Sequence, residues 1–194
     1  MNDRSAVIFP GAFLGPYAPP LMFAGDAAER AGAERVAHQW ERPQELIDLP
    51  EEERPAWVDR QAAAVLDRTA EELPGASTVV LAKSLGTYAA PQVARRGLPA
   101  VWLTPLFFEP TVVAALRAAT EPFLLVGGTA DPSWDGVLAR ELTPHVTEIE
   151  GADHGLYVPG RLAGSAQVLG RVATAVEDFL DETVWPGLRI DQFG

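Results

Sequence analysis

The stretch from Thr78 to Ala90 constrains this chain more than any other. Thr78-Val79-Val80-Leu81-Ala82 is an apolar, β-branched run without alternation, the pattern of a short strand buried on both faces. It stops at Ala82-Lys83-Ser84-Leu85-Gly86, and an alanine-rich helical pattern follows. A strand that passes directly into a helix leaves almost no space at the turn. The residues two before and two after the serine must therefore be small, and Ala82 and Gly86 are. Such a turn pushes Ser84 clear of the backbone at the C-terminal end of a strand, where open α/β sheets place their binding sites.

Two later stretches end in the same manner. Phe123-Leu124-Leu125-Val126 leads into Gly127-Gly128-Thr129-Ala130-Asp131-Pro132, and Val146-Thr147-Glu148-Ile149-Glu150 leads into Gly151-Ala152-Asp153-His154-Gly155. Taken singly, each polar residue has an ordinary explanation. A serine often caps a helix, an Asp-Pro pair starts a turn, and a histidine between small residues sits on a surface. Jointly they put a nucleophile, a carboxylate and an imidazole at three strand ends, in the chain order Ser84, Asp131, His154. Serine needs a base to remove its proton, and the base needs a third group to fix its tautomer. With this order and this turn, the chain resembles a small, lidless α/β-hydrolase over nearly its whole length. It departs from the usual pattern at Ala82, where a glycine is common, and at Pro10-Gly11, where His-Gly is common.

The resemblance implies Ser84 as nucleophile, His154 as base and Asp131 as the group that orients it. Asp131 is preferred to Asp135 and Asp153 because it directly follows its strand. The loop after the first strand would supply one oxyanion-hole amide. Pro10 has no N–H, so that donor is expected at Ala12, with Phe13 as second choice. The second is expected at Leu85, at the N-terminus of the helix after Ser84. Only Thr104 to Pro110 separates the fourth strand from the next helix, so there is no room for a lid domain. Leu106, Phe107 and Phe108 in that connection suit core or pocket wall equally, with at least one expected to face substrate. Phe13, Leu106, Phe107 and Trp134 are the candidate substrate contacts.

Along the chain, strand and helix patterns alternate. Strands are expected at Ala6–Phe9, Arg35–Trp40, Thr78–Ala82, Ala100–Leu103, Phe123–Val126 and Val146–Glu150. Helices are expected at about 17–31, 57–73, 85–96, 111–119, 133–142 and 161–180. In the last helix the stripe Leu162, Ala166, Leu169, Ala173, Val176 and Leu180 should face the core. Glu41 to Pro55, with three prolines and Glu51-Glu52-Glu53, reads as one long irregular stretch. This repetition of strand and helix predicts a three-layer α/β/α domain spanning residues 1–194, with about six parallel strands. The resemblance implies the strand order 2-1-3-4-5-6.

Charge and composition narrow the function. The net charge of −12 repels phosphate backbones and anionic bilayers, so nucleic-acid and membrane roles are disfavoured. With no cysteine, thiolate chemistry and disulfides are excluded. No second histidine stands near His154, and no metal or other cofactor is expected. His38 reads as structural. Met1-Asn2-Asp3-Arg4-Ser5 runs straight into the first strand without a basic-then-apolar leader, so a cytoplasmic enzyme is the expectation. The function expected is hydrolysis of a small carboxylic ester or thioester through an acyl-serine intermediate. Acyl transfer on the same residues and a non-catalytic binding protein of the same fold are the alternatives. Oligomeric state and the identity of the substrate are not legible.

Overall fold

The computed structural model describes residues 3–12, 14–40 and 43–187. Six strands, β1 (Arg4–Phe9), β2 (Glu34–Ala37), β3 (Ser77–Lys83), β4 (Ala100–Leu103), β5 (Phe123–Gly128) and β6 (Val146–Ile149), form one parallel sheet in the order β2-β1-β3-β4-β5-β6. The helices are α1 (Pro19–Arg30), α2 (Pro43–Asp48), α3 (Arg54–Glu72), α4 (Ala90–Arg96), α5 (Pro110–Ala118), α6 (Gly136–Leu142) and α7 (Leu162–Phe179).

The strands lack alternation because both faces of the sheet are covered. On one face Val7, Phe9, Val80, Ala82, Trp102 and Leu125 pack against α3, α4 and α5. On the other, Ala6, Ile8, Val79, Leu81, Leu103 and Val126 pack against α1 and α7. Strand order reverses between β1 and β3. The loop after β1 leaves toward α1 on one face, and the turn after β3 leaves toward α4 on the other. A crevice therefore opens at the C-terminal ends of these two strands. The register Phe9 to Ala82 sets the end of β1 directly beside the turn that begins at Ser84.

Several boundaries differ from expectation, each for a physical reason. The second strand ends at Ala37 rather than Trp40. Trp40 instead turns inward, stacks on Phe9 and donates its Nε1–H to the Pro10 carbonyl at 3.2 Å. Within the stretch Glu41 to Pro55, the described residues 43–55 are not irregular: they hold α2, a tight turn over Glu51–Glu53 and the start of α3. Its prolines sit at helix starts, where no intrahelical N–H is needed, and Leu46 from α2 is buried with Trp57. The helix after Ser84 begins as a tight 3₁₀ coil, Ser84–Ala89, before α4. Thr87 Oγ1 donates to the Ser84 carbonyl at 2.7 Å, and Pro91 has no N–H for the Thr87 carbonyl. The stripe of α7 is offset as well. Ser165, Val168, Val172, Val176 and Phe179 face inward, whereas Leu162 and Ala166 are exposed.

Candidate active site

Ser84 follows the last residue of β3 with φ = 52°, in the left-handed region. A serine held there is strained by about 1–2 kcal/mol, so the surroundings must enforce it. Two contacts do so: the Thr87 hydroxyl on the Ser84 carbonyl, and the close approach of Gly86 to β1. A Cβ at Gly86 would lie 2.2 Å from the Phe9 carbonyl oxygen. Gly86→Ala is therefore expected to lower stability by about 1–3 kcal/mol, since backbone rather than a flexible side chain would have to move. Gly170→Ala on α7 meets no neighbour and should instead stabilise by about 1 kcal/mol. Thermal unfolding of the two variants checks this, and equal midpoints would contradict the close-approach argument.

His154 and Asp131 reach the serine from neighbouring strand ends. Ser84 Oγ and His154 Nε2 are 2.7 Å apart, and His154 Nδ1 lies 2.8 Å from Asp131 Oδ2. Asp131 is 3% exposed, and its Oδ1 accepts the Ser133 N–H at 2.8 Å. Burial pushes this carboxyl up, but the hydrogen bonds from His154 and Ser133 outweigh it and hold the group below the ordinary carboxylate range. The other two carboxylates have different work. Asp135 caps α6, accepting from the amides of Val137 and Leu138. Asp153 Oδ1 accepts from the amides of Gly155 and Tyr157, shaping the turn that carries His154. His38 Nε2 lies 3.2 Å from Gln61 Oε1, far along the chain from these groups.

A cleft of about 210 Å³ opens beside Ser84 and His154. Its walls are Gly11, Ala12, Leu14, Ala18, Pro19 and Pro20 on the β1–α1 side, and Lys83, Gly155 and Tyr157 on the other. Ala12 lines the cleft beside Ser84, and Leu85 is the second residue of the 3₁₀ coil. Phe13 lies outside the described residues. Leu106, Phe107 and Trp134 do not line this cleft. Leu106 is buried in the core, and Phe107 and Trp134 pack with ring centroids 5.4 Å apart, tilted by 30°, and line a separate surface depression. Trp134 covers Gly127, where a Cβ would collide with its ring, and donates Nε1–H to Glu148 at 2.8 Å. Sequence reasoning missed Leu14, Pro19, Pro20 and Tyr157 as cleft walls, because only the folded loops bring them together. It also missed Lys83, although a lysine ending an otherwise apolar strand was a visible signal.

Among the described residues no cluster of three or more His, Asp or Glu side chains is placed to hold a metal ion. Nor, among these residues, is any helix long and apolar enough to cross a membrane.

No protein-family model matches the chain, and no curated protein matches it in sequence. Solved structures match it closely in shape. A protein from Butyrivibrio proteoclasticus with ferulic acid bound superposes with a TM-score of 0.69 at 14% identity, covering 94% of this chain and 90% of that one. Dienelactone hydrolase from Anabaena variabilis gives 0.68 at 18% identity, covering 93% and 87%. A serine hydrolase without a lid from Xanthomonas campestris gives 0.61 at 13% identity, covering 92% and 83%. The fold is that of the α/β-hydrolases in its small, lidless form.

Proposed function

We propose that the protein is a serine hydrolase that cleaves a small carboxylic ester or thioester through an acyl-Ser84 intermediate. The observation that carries this reading is the hydrogen-bonded chain Ser84–His154–Asp131 at the point where strand order reverses. In this reading His154 Nε2 takes the Ser84 proton as Oγ attacks the substrate carbonyl. Asp131 keeps Nδ1 protonated, so that Nε2 is free to accept. The amides of Ala12 and Leu85 stabilise the developing oxyanion. His154 then protonates the departing alcohol or thiol. Water, activated in turn by His154, releases the acid from Ser84. Two structural neighbours lend support by their chemistry: one is named for hydrolysis of a lactone, a cyclic ester, and one holds a compact aromatic carboxylic acid.

The test is labelling by a fluorophosphonate, together with the release of p-nitrophenol from p-nitrophenyl esters. Stoichiometric modification of Ser84 and a burst of p-nitrophenol are expected. Failure of the intact protein to label or to turn over any ester in the series would overturn the reading.

The size of the cleft sets an expectation for the acyl group. A cavity of about 150 Å³ holds a benzene-sized molecule, so about 210 Å³ accommodates a short or medium acyl chain. Six residues, 104–109, join β4 to α5, and nothing there covers a longer chain. While a methylene fits, it contributes about 0.8 kcal/mol, or about fourfold in kcat/KM. From acetate to dodecanoate, kcat/KM should rise over the first members and then level or fall. A steady rise out to the longest chain would contradict the cleft assignment.

A further inference from the structure

Lys83 is a buried cation that acyl transfer does not use. It precedes Ser84 directly, ends β3 and is only 7% exposed. Its Nζ donates to Thr104 Oγ1 at 2.9 Å and to the backbone carbonyl of His154 at 2.8 Å. Both acceptors are neutral, which makes this an expensive place for an ammonium. Burial pushes its pKa down to about 8, against the opposing charges of Asp131 and Asp153. Packing alone would be better served by methionine, a side chain of similar length without the charge.

The turn that carries His154 explains what the ammonium does. Its internal bonds, from the Gly155 and Tyr157 amides to Asp153 Oδ1 and from the Asp153 amide to the Tyr157 carbonyl, fix its shape. The turn is tied to the rest of the fold by the Ala130 amide on the Ala152 carbonyl, by the Gly151 amide on Thr129 Oγ1 and by the buried side chain of Leu156, while Lys83 holds the backbone of His154 itself. The other acceptor, Thr104, is completely buried at the end of β4, with its amide bonded to the Val126 carbonyl at 2.7 Å. Lys83 thus joins the ends of β3 and β4 to the loop after β6. It joins them at the residue covalently bonded to the nucleophile.

We propose that Lys83 is a positioning residue, whose ammonium clamps the His154 turn onto the sheet and thereby sets the Ser84–His154 distance. The proposal rests on the hydrolase reading for its kinetic consequence, not for its geometry.

The test compares wild type with Lys83→Met and Lys83→Cys. In Lys83→Met, kcat for p-nitrophenyl acetate should fall on the order of a hundredfold, because small misplacements of a reacting group carry losses of that size, while KM changes less than about threefold. The variant should be folded, with a thermal midpoint at or above wild type near neutral pH. That advantage should shrink as pH rises from about 8 toward the ordinary lysine value of 10.5. Across this window the unfolded chain holds a proton that the folded chain releases, so wild-type stability rises with pH. Because the chain has no cysteine, the thiol of Lys83→Cys is unique. Alkylation with 2-bromoethylamine in denaturant, followed by refolding, restores an ammonium at that position and should recover most of the lost kcat. Wild-type kcat in Lys83→Met, or no gain on aminoethylation of Lys83→Cys, would overturn the proposal. The imidazole NMR signals of His154 give a readout independent of turnover. They should shift in Lys83→Met and return on aminoethylation; an unchanged spectrum would also overturn it. Absence of labelling and turnover in wild type would defeat the hydrolase reading instead, and the NMR comparison would still decide the clamp.

Discussion

Ser84→Ala is expected to leave the purified protein folded while lowering ester hydrolysis by about a thousandfold or more. Alanine removes only Oγ, and the turn is held by backbone and neighbours: Thr87 on the residue 84 carbonyl, Gly86 against Phe9, and the β1–β3 register. A thousandfold loss corresponds to about 4 kcal/mol of transition-state stabilisation. The three hydrogen-bonded groups act as a unit, so adding His154→Ala to Ser84→Ala should cost little more. Residual turnover close to wild type would remove Ser84 from the mechanism. Ser84→Gly provides a second measurement from the same position. It should be equally inactive but more stable than Ser84→Ala by about 1 kcal/mol, because glycine adopts φ = 52° without the Cβ penalty. If the two midpoints coincide, the turn does not store strain at Ser84.

What sequence could and could not reveal about this fold follows from the range of the forces involved. The central strands were legible because burial on both faces needs only an unbroken apolar run, as in Val79–Ala82 and Phe123–Val126. The meeting of Ser84, Asp131 and His154 was legible because each residue follows such a run and parallel strands end on one side. The stripe of α7 was legible only at its C-terminal end, at Val176 and Leu180. The series through Leu162 and Ala166 and the series through Ser165 and Val168 both satisfy helical spacing, and only contact with α1 and the sheet decides between them. The stretch around Pro43 and Pro55 misled because proline breaks a helix interior yet opens a helix well. The substrate side of the cleft was hidden for a different reason. Aromatic residues after β4 suggested a pocket wall, but Gly127 leaves a hole that Trp134 fills, drawing Phe107 with it. Lys83 was overlooked because its partners, Thr104 and His154, lie 21 and 71 residues away.

Asp131→Asn should separate the orienting carboxylate from its neighbours. An asparagine can keep the geometry, but its amide can donate to Nδ1 and so favours the imidazole tautomer whose Nε2 carries the proton. Nε2 then cannot accept from Ser84, and kcat/KM should fall by about 10³ to 10⁴. Asp135→Asn should change it by less than about twofold, since Asp135 caps α6 and asparagine caps a helix equally well. Acid unfolding gives a second reading of the same residue. The folded Asp131 carboxyl titrates below its ordinary range, so it contributes stability near neutrality that is lost as pH falls through the depressed value. Asp131→Asn has no such group, and its stability should decline less steeply in acid than that of wild type. Equal kinetic losses in Asp131→Asn and Asp135→Asn, or the reverse ranking, would show that another group orients His154. An unchanged acid limb would show that the Asp131–His154 pair adds nothing to the fold, leaving catalysis as the reason to bury a carboxylate there.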